Sequence, residues 1–118
     1  MISFEIRGHT ANRHLSFQAD AVRIVDEQIA QGADIVKIYA VSWLRGDGKI
    51  VPYPTPLAVV KAATGEAHRK RKLVFAHPST MEGVELVIAG HVDVLGHTSE
   101  EATKWDAALS ARLKAANV

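Results

Sequence analysis

Three short apolar segments of this chain each carry, at or near their ends, a side chain that can bind a metal ion. The segments are Ala33–Tyr39, Leu73–His77 and Val92–His97. Helix-like stretches lie between them, which is the element order of parallel strands in a β/α array. The carboxyl ends of such strands open onto one face, where active sites form. The sequence therefore predicts an α/β fold of parallel βα units that brings Lys37, His77 and His97 together.

Length and composition limit the class of protein. The 118 residues suffice for one domain but for less than half of a full (β/α)8 barrel. The formal net charge of +1 gives no electrostatic reason to expect nucleic acid or a membrane as partner. Cysteine is absent, which excludes disulfides and thiolate metal sites. With no signal-like or spanning segment, we expect a cytoplasmic protein.

The first third of the chain predicts three elements. Ile2 to Ile6 alternates as a strand does, whereas Gly8 to Ser16 is polar without periodicity, so residues 1–17 form a poorly defined segment. Apolar residues at helical spacing predict a helix over Gln18 to Gln31, which Gly32 ends. A buried parallel strand is then expected from Ile35 to Val41.

The remainder predicts a loop followed by alternating helices and strands. Glycines and prolines between Val41 and Pro56 indicate an irregular loop. Caps and periodicity predict the elements that follow: a helix from Pro56 to Lys70 capped by Thr55, a strand from Leu73 to His77, a helix capped by Ser79 or Thr80, a strand from Val92 to Leu95, and a helix from Ser99 to Ala116 whose first turn holds Glu100 and Glu101.

The two histidines at the strand ends are candidate metal ligands. Twenty residues separate His77 from His97, about one short βα unit, which would place them at the same height on neighbouring strands. Imidazole nitrogen is a good ligand for zinc. Lys37, an ammonium in an apolar strand, must be paired, neutral or modified. On spacing alone, two hydrogen-bonded loop histidines and a lysine that reaches solvent at an edge explain the pattern equally well.

Four motifs in order resemble the amidohydrolase superfamily, in its imidazolonepropionase-like and prolidase-like branch. They run from Gly32 to Ile38, Glu66 to His68, Val74 to His77 and Ala89 to His97. The resemblance spans about Ala19 to Asn117. It implies that the three strands are the fourth to sixth of a metal-dependent TIM barrel, with one or two zinc ions in the full-length family.

The resemblance also implies residue roles, and it has gaps. Lys37 would be the carboxylated lysine that bridges two metals, and His77 and His97 would bind the second metal. The family's His-x-His pair is absent, since His9 and His14 lie five apart and in the wrong place. No strand after His97 carries the aspartate that acts as general base. The resemblance thus describes the middle of a barrel that is inactive by itself.

Two functions remain open. The first is part of a metal-dependent hydrolase of amide, cyclic amide or dipeptide-like substrates, with Tyr39, Trp43 and Tyr53 lining the substrate pocket. The second is a non-catalytic α/β domain with a structural or small-molecule-binding role. In either case the exposed sheet edges of a half-barrel predict a homo-oligomer.

The other polar residues near the strands are expected to have structural roles. We expect His68 to be a packing or surface residue and His91 to be structural. Asp34 and Asp93, which begin strands, should form caps or local pairs.

Overall fold

The computed structural model describes residues 2–6, 9–13, 18–99 and 101–118, and over this part the chain has a mixed α/β fold. The elements, in chain order, are β1 (Ile2–Ile6), β2 (His9–Arg13), α1 (Gln18–Ala30), β3 (Ile35–Tyr39), β4 (Val41–Gly46), β5 (Lys49–Pro54), α2 (Leu57–Arg69), β6 (Leu73–His77), α3 (Met81–Ala89), β7 (Val94–Leu95), a 3₁₀ helix (Ala102–Lys104) and α4 (Ala107–Ala115). None of the described helices has the length and apolar character needed to span a membrane.

The central element is a parallel three-stranded sheet in the order β3-β6-β7. Lys37 lies opposite Phe75 and Tyr39 opposite His77 across the β3–β6 pair, and Phe75 lies opposite Val94 across the β6–β7 pair. The predicted parallel strands are therefore confirmed, although β3 and β7 are shorter than expected.

The two short strands have local causes. β3 ends at Tyr39 because the chain bends at Ala40, and β4 begins immediately afterwards. β7 begins late because the Val92 N–H is used by the end of α3, where it donates to the Val87 carbonyl at 3.2 Å. Both strands therefore lose residues to the neighbouring turns.

One face of the sheet is covered by helices and forms the core. The strand residues on that face are fully buried: Val36, Ile38, Val74 and Ala76. The helices contribute Ala21, Ile24, Val25, Val59, Val60, Ala63, Ala67 and Val87 to the same cluster. Burying an aliphatic side chain of this size stabilises a fold by about 1.5–3 kcal/mol, so this layer dominates the stability of the domain.

Helix α1 follows directly from its sequence pattern. Its buried positions are three and four residues apart, so they form one stripe against the sheet. Gly32, with φ of +97°, ends the helix as predicted, since this backbone conformation suits glycine. The Gly32 N–H donates to the Ile29 carbonyl at 3.0 Å.

The predicted cap of α2 is wrong. Thr55 is 1% exposed, and its hydroxyl donates to the Tyr39 carbonyl at 2.9 Å instead of capping the helix. Pro56 takes the N-cap position without a side-chain hydrogen bond. Thr55 therefore joins α2 to the end of β3.

Helix α3 begins as expected, whereas the start of the last helix was predicted wrongly. Thr80 caps α3 by accepting a hydrogen bond from the Gly83 N–H at 3.2 Å. α4 starts only after Asp106, whose carboxylate accepts from the Leu109 N–H at 2.7 Å. The predicted start at Ser99 is wrong because Glu101 makes other contacts. Its carboxylate accepts a hydrogen bond from the Met81 N–H at the start of α3 and pairs with Lys104 in the 3₁₀ helix.

The same contacts around Glu101 affect its ionisation. The ion pair with Lys104 and the Met81 N–H hold the pKa of Glu101 below its ordinary value. Glu100, which the prediction placed in the same first turn, lies outside the described residues.

The segment predicted as an irregular loop is instead a β-hairpin. β4 and β5 pair antiparallel, with Gly46 opposite Lys49. Asp47 and Gly48 between them have φ of 49° and 70°, and two successive positive φ values are typical of a type I′ turn. A second antiparallel pair is formed by the N-terminal strands β1 and β2. The strand pattern over Ile2 to Ile6 is therefore confirmed, and His9–Arg13, which was expected to lack periodicity, is also a strand. His14, with residues 7, 8 and 15–17, lies outside the described residues.

Candidate functional site at the ends of the parallel strands

The face of the sheet opposite the helices carries most of the predicted site residues. Side chains alternate along a strand, so Lys37 and Tyr39 point away from the helices, as do their neighbours in register, Phe75 and His77. These four side chains are half-buried, whereas the residues between them are fully buried. The sheet thus has one apolar, helix-covered face and one face with ionisable and aromatic groups.

Four of the six predicted site residues form a continuous row, which we call the strand-end cluster: Lys37, Tyr39, His77 and His97. The Tyr39 and His77 rings are stacked, with centroids 5.3 Å apart and planes at 20°. The His77 and His97 centroids are 4.3 Å apart, with planes at 48°. The Lys37 ammonium lies 5.7 Å from the centre of the Tyr39 ring, within reach of a cation–π attraction.

His97 reaches this cluster because the chain bends directly after β7. The Gly96 N–H donates to the Ala76 carbonyl at 2.8 Å, which continues the pairing with β6 by one residue. A Cβ atom at position 96 would lie 3.3 Å from that carbonyl oxygen, so glycine permits the close approach. His97 itself is exposed.

Hydrogen bonds at the strand ends fix the backbone around His77. The Ala40 N–H donates to the His77 carbonyl at 3.0 Å, and the hydroxyl of Ser79 donates to the Val41 carbonyl at 3.1 Å. Thr55 closes the other side through its bond to Tyr39. Sequence reasoning missed these roles, because a serine or threonine beside a predicted helix is usually a cap.

The remaining predicted site residues, Trp43 and Tyr53, lie on the hairpin. Trp43 is paired with Pro52, and Tyr53 with the neighbouring Ser42, so the two aromatic side chains project from opposite faces of the ribbon. They are 44% and 42% exposed. The structure therefore does not bring them together on one wall of a pocket.

The chemistry of the strand-end cluster fits a divalent metal ion in part. Zinc binds imidazole nitrogen at about 2.0–2.1 Å, and two rings whose centres lie 4.3 Å apart can direct one nitrogen each at a shared ion. Within the described ranges, no group of three or more histidine, aspartate or glutamate side chains is placed to hold a metal.

A second polar group lies at the opposite end of the strands. Asp93 accepts from the Val74 N–H at 2.7 Å and contacts His68 Nε2 at 2.8 Å. The expected cap or local pair is therefore replaced by tertiary contacts, with residues 19 and 25 positions away. His68 and His91 line a cavity of about 300 Å³ between α2 and α3. Both histidines precede their strands, so they belong to the face away from the strand-end cluster.

Comparisons with known proteins bear on the fold. No protein-family profile and no curated protein matches the chain. Its fold is similar to the crystal structure of an uncharacterized protein, with a TM-score of 0.69 and 19% sequence identity. The match covers 100% of this chain and 28% of that chain. The chain is thus a mixed α/β unit built on a parallel sheet, and it spans little more than a quarter of that longer protein.

Proposed function

We propose that the chain is a segment of a (β/α)8 barrel whose interior is the face that carries the strand-end cluster. Three parallel strands in chain order, with helices packed on one face, have the arrangement of consecutive barrel strands. The half-buried face with Lys37 and His77 corresponds to the interior wall. The occurrence of this fold within a much longer chain supports the same interpretation.

We further propose that the cluster binds a divalent metal, most suitably zinc, as part of an amidohydrolase. The observation that carries this proposal is the contact between the His77 and His97 rings at the ends of adjacent parallel strands. His77 and His97 would bind the ion through their imidazole nitrogens, and a carboxylated Lys37 would supply an anionic oxygen. The bound metal would polarise an amide carbonyl and activate water for hydrolysis.

The chain's own side chains would orient the ligands and the substrate. Tyr39 stacks on His77 and restricts the rotation of its ring, as partners of metal-binding histidines commonly do. The aromatic rings of Tyr39 and of Trp43 or Tyr53 offer apolar surface for an amide, cyclic amide or dipeptide-like substrate. Hydrolysis also needs a general base and further ligands, so we expect the 118 residues to bind metal but not to turn over substrate.

Cobalt(II) titration in bicarbonate buffer tests this proposal, because its visible spectrum reports ligand number and geometry. We expect the wild-type chain to bind about one ion and His97→Asn to bind it at least tenfold more weakly. Loss of a group that only supports a metal ligand already lowers metal affinity by about tenfold or more. His91→Asn is the matched control, because this exposed histidine lies at the opposite end of the strands. Equal affinities in all three proteins would refute the proposed site.

A second function, a non-catalytic oligomeric domain, is favoured by the surface of the hairpin. Four large apolar side chains there are 42–58% exposed: Trp43, Ile50, Val51 and Tyr53. An isolated two-stranded ribbon is at best marginally stable in water, so contacts with a second copy would stabilise it. The strand-end cluster would then lie in a mouth shared by the copies.

A further inference from the structure

We infer that Ser79 is a positioning residue for the His77–His97 pair. It follows His77 by two residues, is 2% exposed, and donates its hydroxyl hydrogen to the Val41 carbonyl at 3.1 Å. Val41 begins β4, so this bond ties the loop after β6 to the start of the hairpin. The effect of Ser79 on metal binding rests on the proposed function. Its effect on the geometry of the two histidine rings does not, because that geometry can be measured without metal.

The backbone at Ser79 supports a role beyond local capping. Its φ of +63° lies in the left-handed region, where residues with a Cβ are disfavoured and glycine is easily accommodated. Glycine would relieve the strain but could not donate to Val41. Thr80, the next residue, already caps α3, so the Ser79 hydroxyl is available for the tertiary bond.

Two bonds thereby hold the backbone that follows the His77 side chain. The Ala40 N–H holds the His77 carbonyl at 3.0 Å, and the Ser79 hydroxyl holds the next turn against Val41. Ala40 and Val41 are consecutive, so both bonds end on the same short segment. The position of the His77 ring between Tyr39 and His97 follows from this double attachment.

Two variants at position 79 separate the hydrogen bond from the backbone strain. Ser79→Ala removes the hydroxyl and keeps the backbone strain, whereas Ser79→Gly removes both. Because it relieves the strain, the glycine variant is expected to fold even if the alanine variant does not. Thr80→Ala is the matched control, because it removes a neighbouring hydroxyl bond that serves only the helix cap. Each variant of the 118-residue chain is compared with wild type by NMR and by cobalt(II) titration.

We expect both Ser79 variants to weaken the nuclear Overhauser effects between the His77 and His97 rings in metal-free protein. Their cobalt(II) affinity should fall roughly tenfold or more, as it does when a support of a metal ligand is lost. Thr80→Ala should lower the melting temperature and leave both site readouts unchanged. Wild-type ring contacts in Ser79→Gly would overturn the inference. If wild type binds no cobalt(II), the proposed function fails, and the ring contacts alone decide the role of Ser79.

Discussion

At the scale of single residues, Gly83 shows how closely α3 approaches the strand ends. A Cβ atom at this position would lie 1.8 Å from the carbonyl oxygen of Pro78, the residue after His77. Gly65, in the middle of α2, has nothing within 4 Å of the same hypothetical atom. The structure therefore has room for a side chain at Gly65 but not at Gly83, a difference that the sequence alone does not show.

Alanine substitution at the two glycines should therefore change stability in opposite directions. We expect Gly65→Ala to stabilise the chain by up to about 1 kcal/mol, the difference in helix propensity. Gly83→Ala should destabilise it by roughly 1–3 kcal/mol or more, because the backbone of Pro78 must move. Urea unfolding of both variants measures the difference. A Gly83→Ala chain as stable as wild type would show that α3 does not approach Pro78 closely.

The approach of His77 and His97 could be predicted from the sequence, whereas the residues that hold them could not. Each histidine ends an apolar segment, and the carboxyl ends of neighbouring parallel strands meet. The partner of Ser79, in contrast, is a backbone carbonyl 38 residues away. Such a bond depends on where the tertiary fold places the hairpin, and no local sequence pattern around Ser79 predicts it.

At the scale of elements, the hairpin shows why proline misled the prediction. Pro52 and Pro54 lie within β5, yet the strand forms. Hydrogen-bonded and non-hydrogen-bonded pairs alternate along an antiparallel ladder. Since Lys49 flanks a two-residue turn, it and every second residue after it donate to β4, so both prolines fall at positions facing the open edge. There the missing N–H costs no bond and discourages edge pairing.

The contact between α3 and α4 predicts a pH dependence of stability. Arg112 donates to both carboxylate oxygens of Glu85 at 2.8 and 2.5 Å, and this ion pair lowers the pKa of Glu85. The stabilisation is therefore present above the unfolded-state pKa, about 4.3, and is lost as the pH falls through the lower folded-state value.

Substitution of Glu85 tests this dependence directly. Because the pair is exposed and screened by solvent, Glu85→Gln should lower the urea midpoint only slightly at pH 7, and the difference from wild type should shrink as the pH falls below about 4.3 and through the lower folded-state pKa. The difference at pH 7 should also shrink in 1 M salt, as expected at a Debye length of about 3 Å. A difference that persists in acid would show that Glu85 stabilises the chain through packing.

At the scale of the whole molecule, the described chain has one well-packed face and several exposed apolar surfaces. Leu73 at the start of β6 is 54% exposed, and Ile50 on the hairpin is 58% exposed. Apolar surface of this kind commonly marks contacts with other protein surface. The predicted α/β architecture is present, whereas its place in a (β/α)8 barrel stays a prediction.

Self-association should therefore depend on the hairpin. We expect the wild-type chain to sediment as an oligomer at concentrations of about 100 μM, in the range of weak interfaces. Ile50→Lys should shift it towards monomer by placing a charge in the apolar surface. Leu57→Lys, a like substitution at a position 36% exposed on α2, is the control and should leave the distribution unchanged. A wild-type chain that stays monomeric would contradict association through the hairpin.

The most direct test of the central claim is the metal content of the chain purified without chelator, measured by elemental mass spectrometry. Convergence of His77, His97 and Lys37 predicts about one zinc ion per chain. The double variant His77→Asn, His97→Asn, purified in parallel, should contain none. A metal-free wild-type chain, or equal metal in both proteins, would contradict the assignment of the strand-end cluster as a metal site.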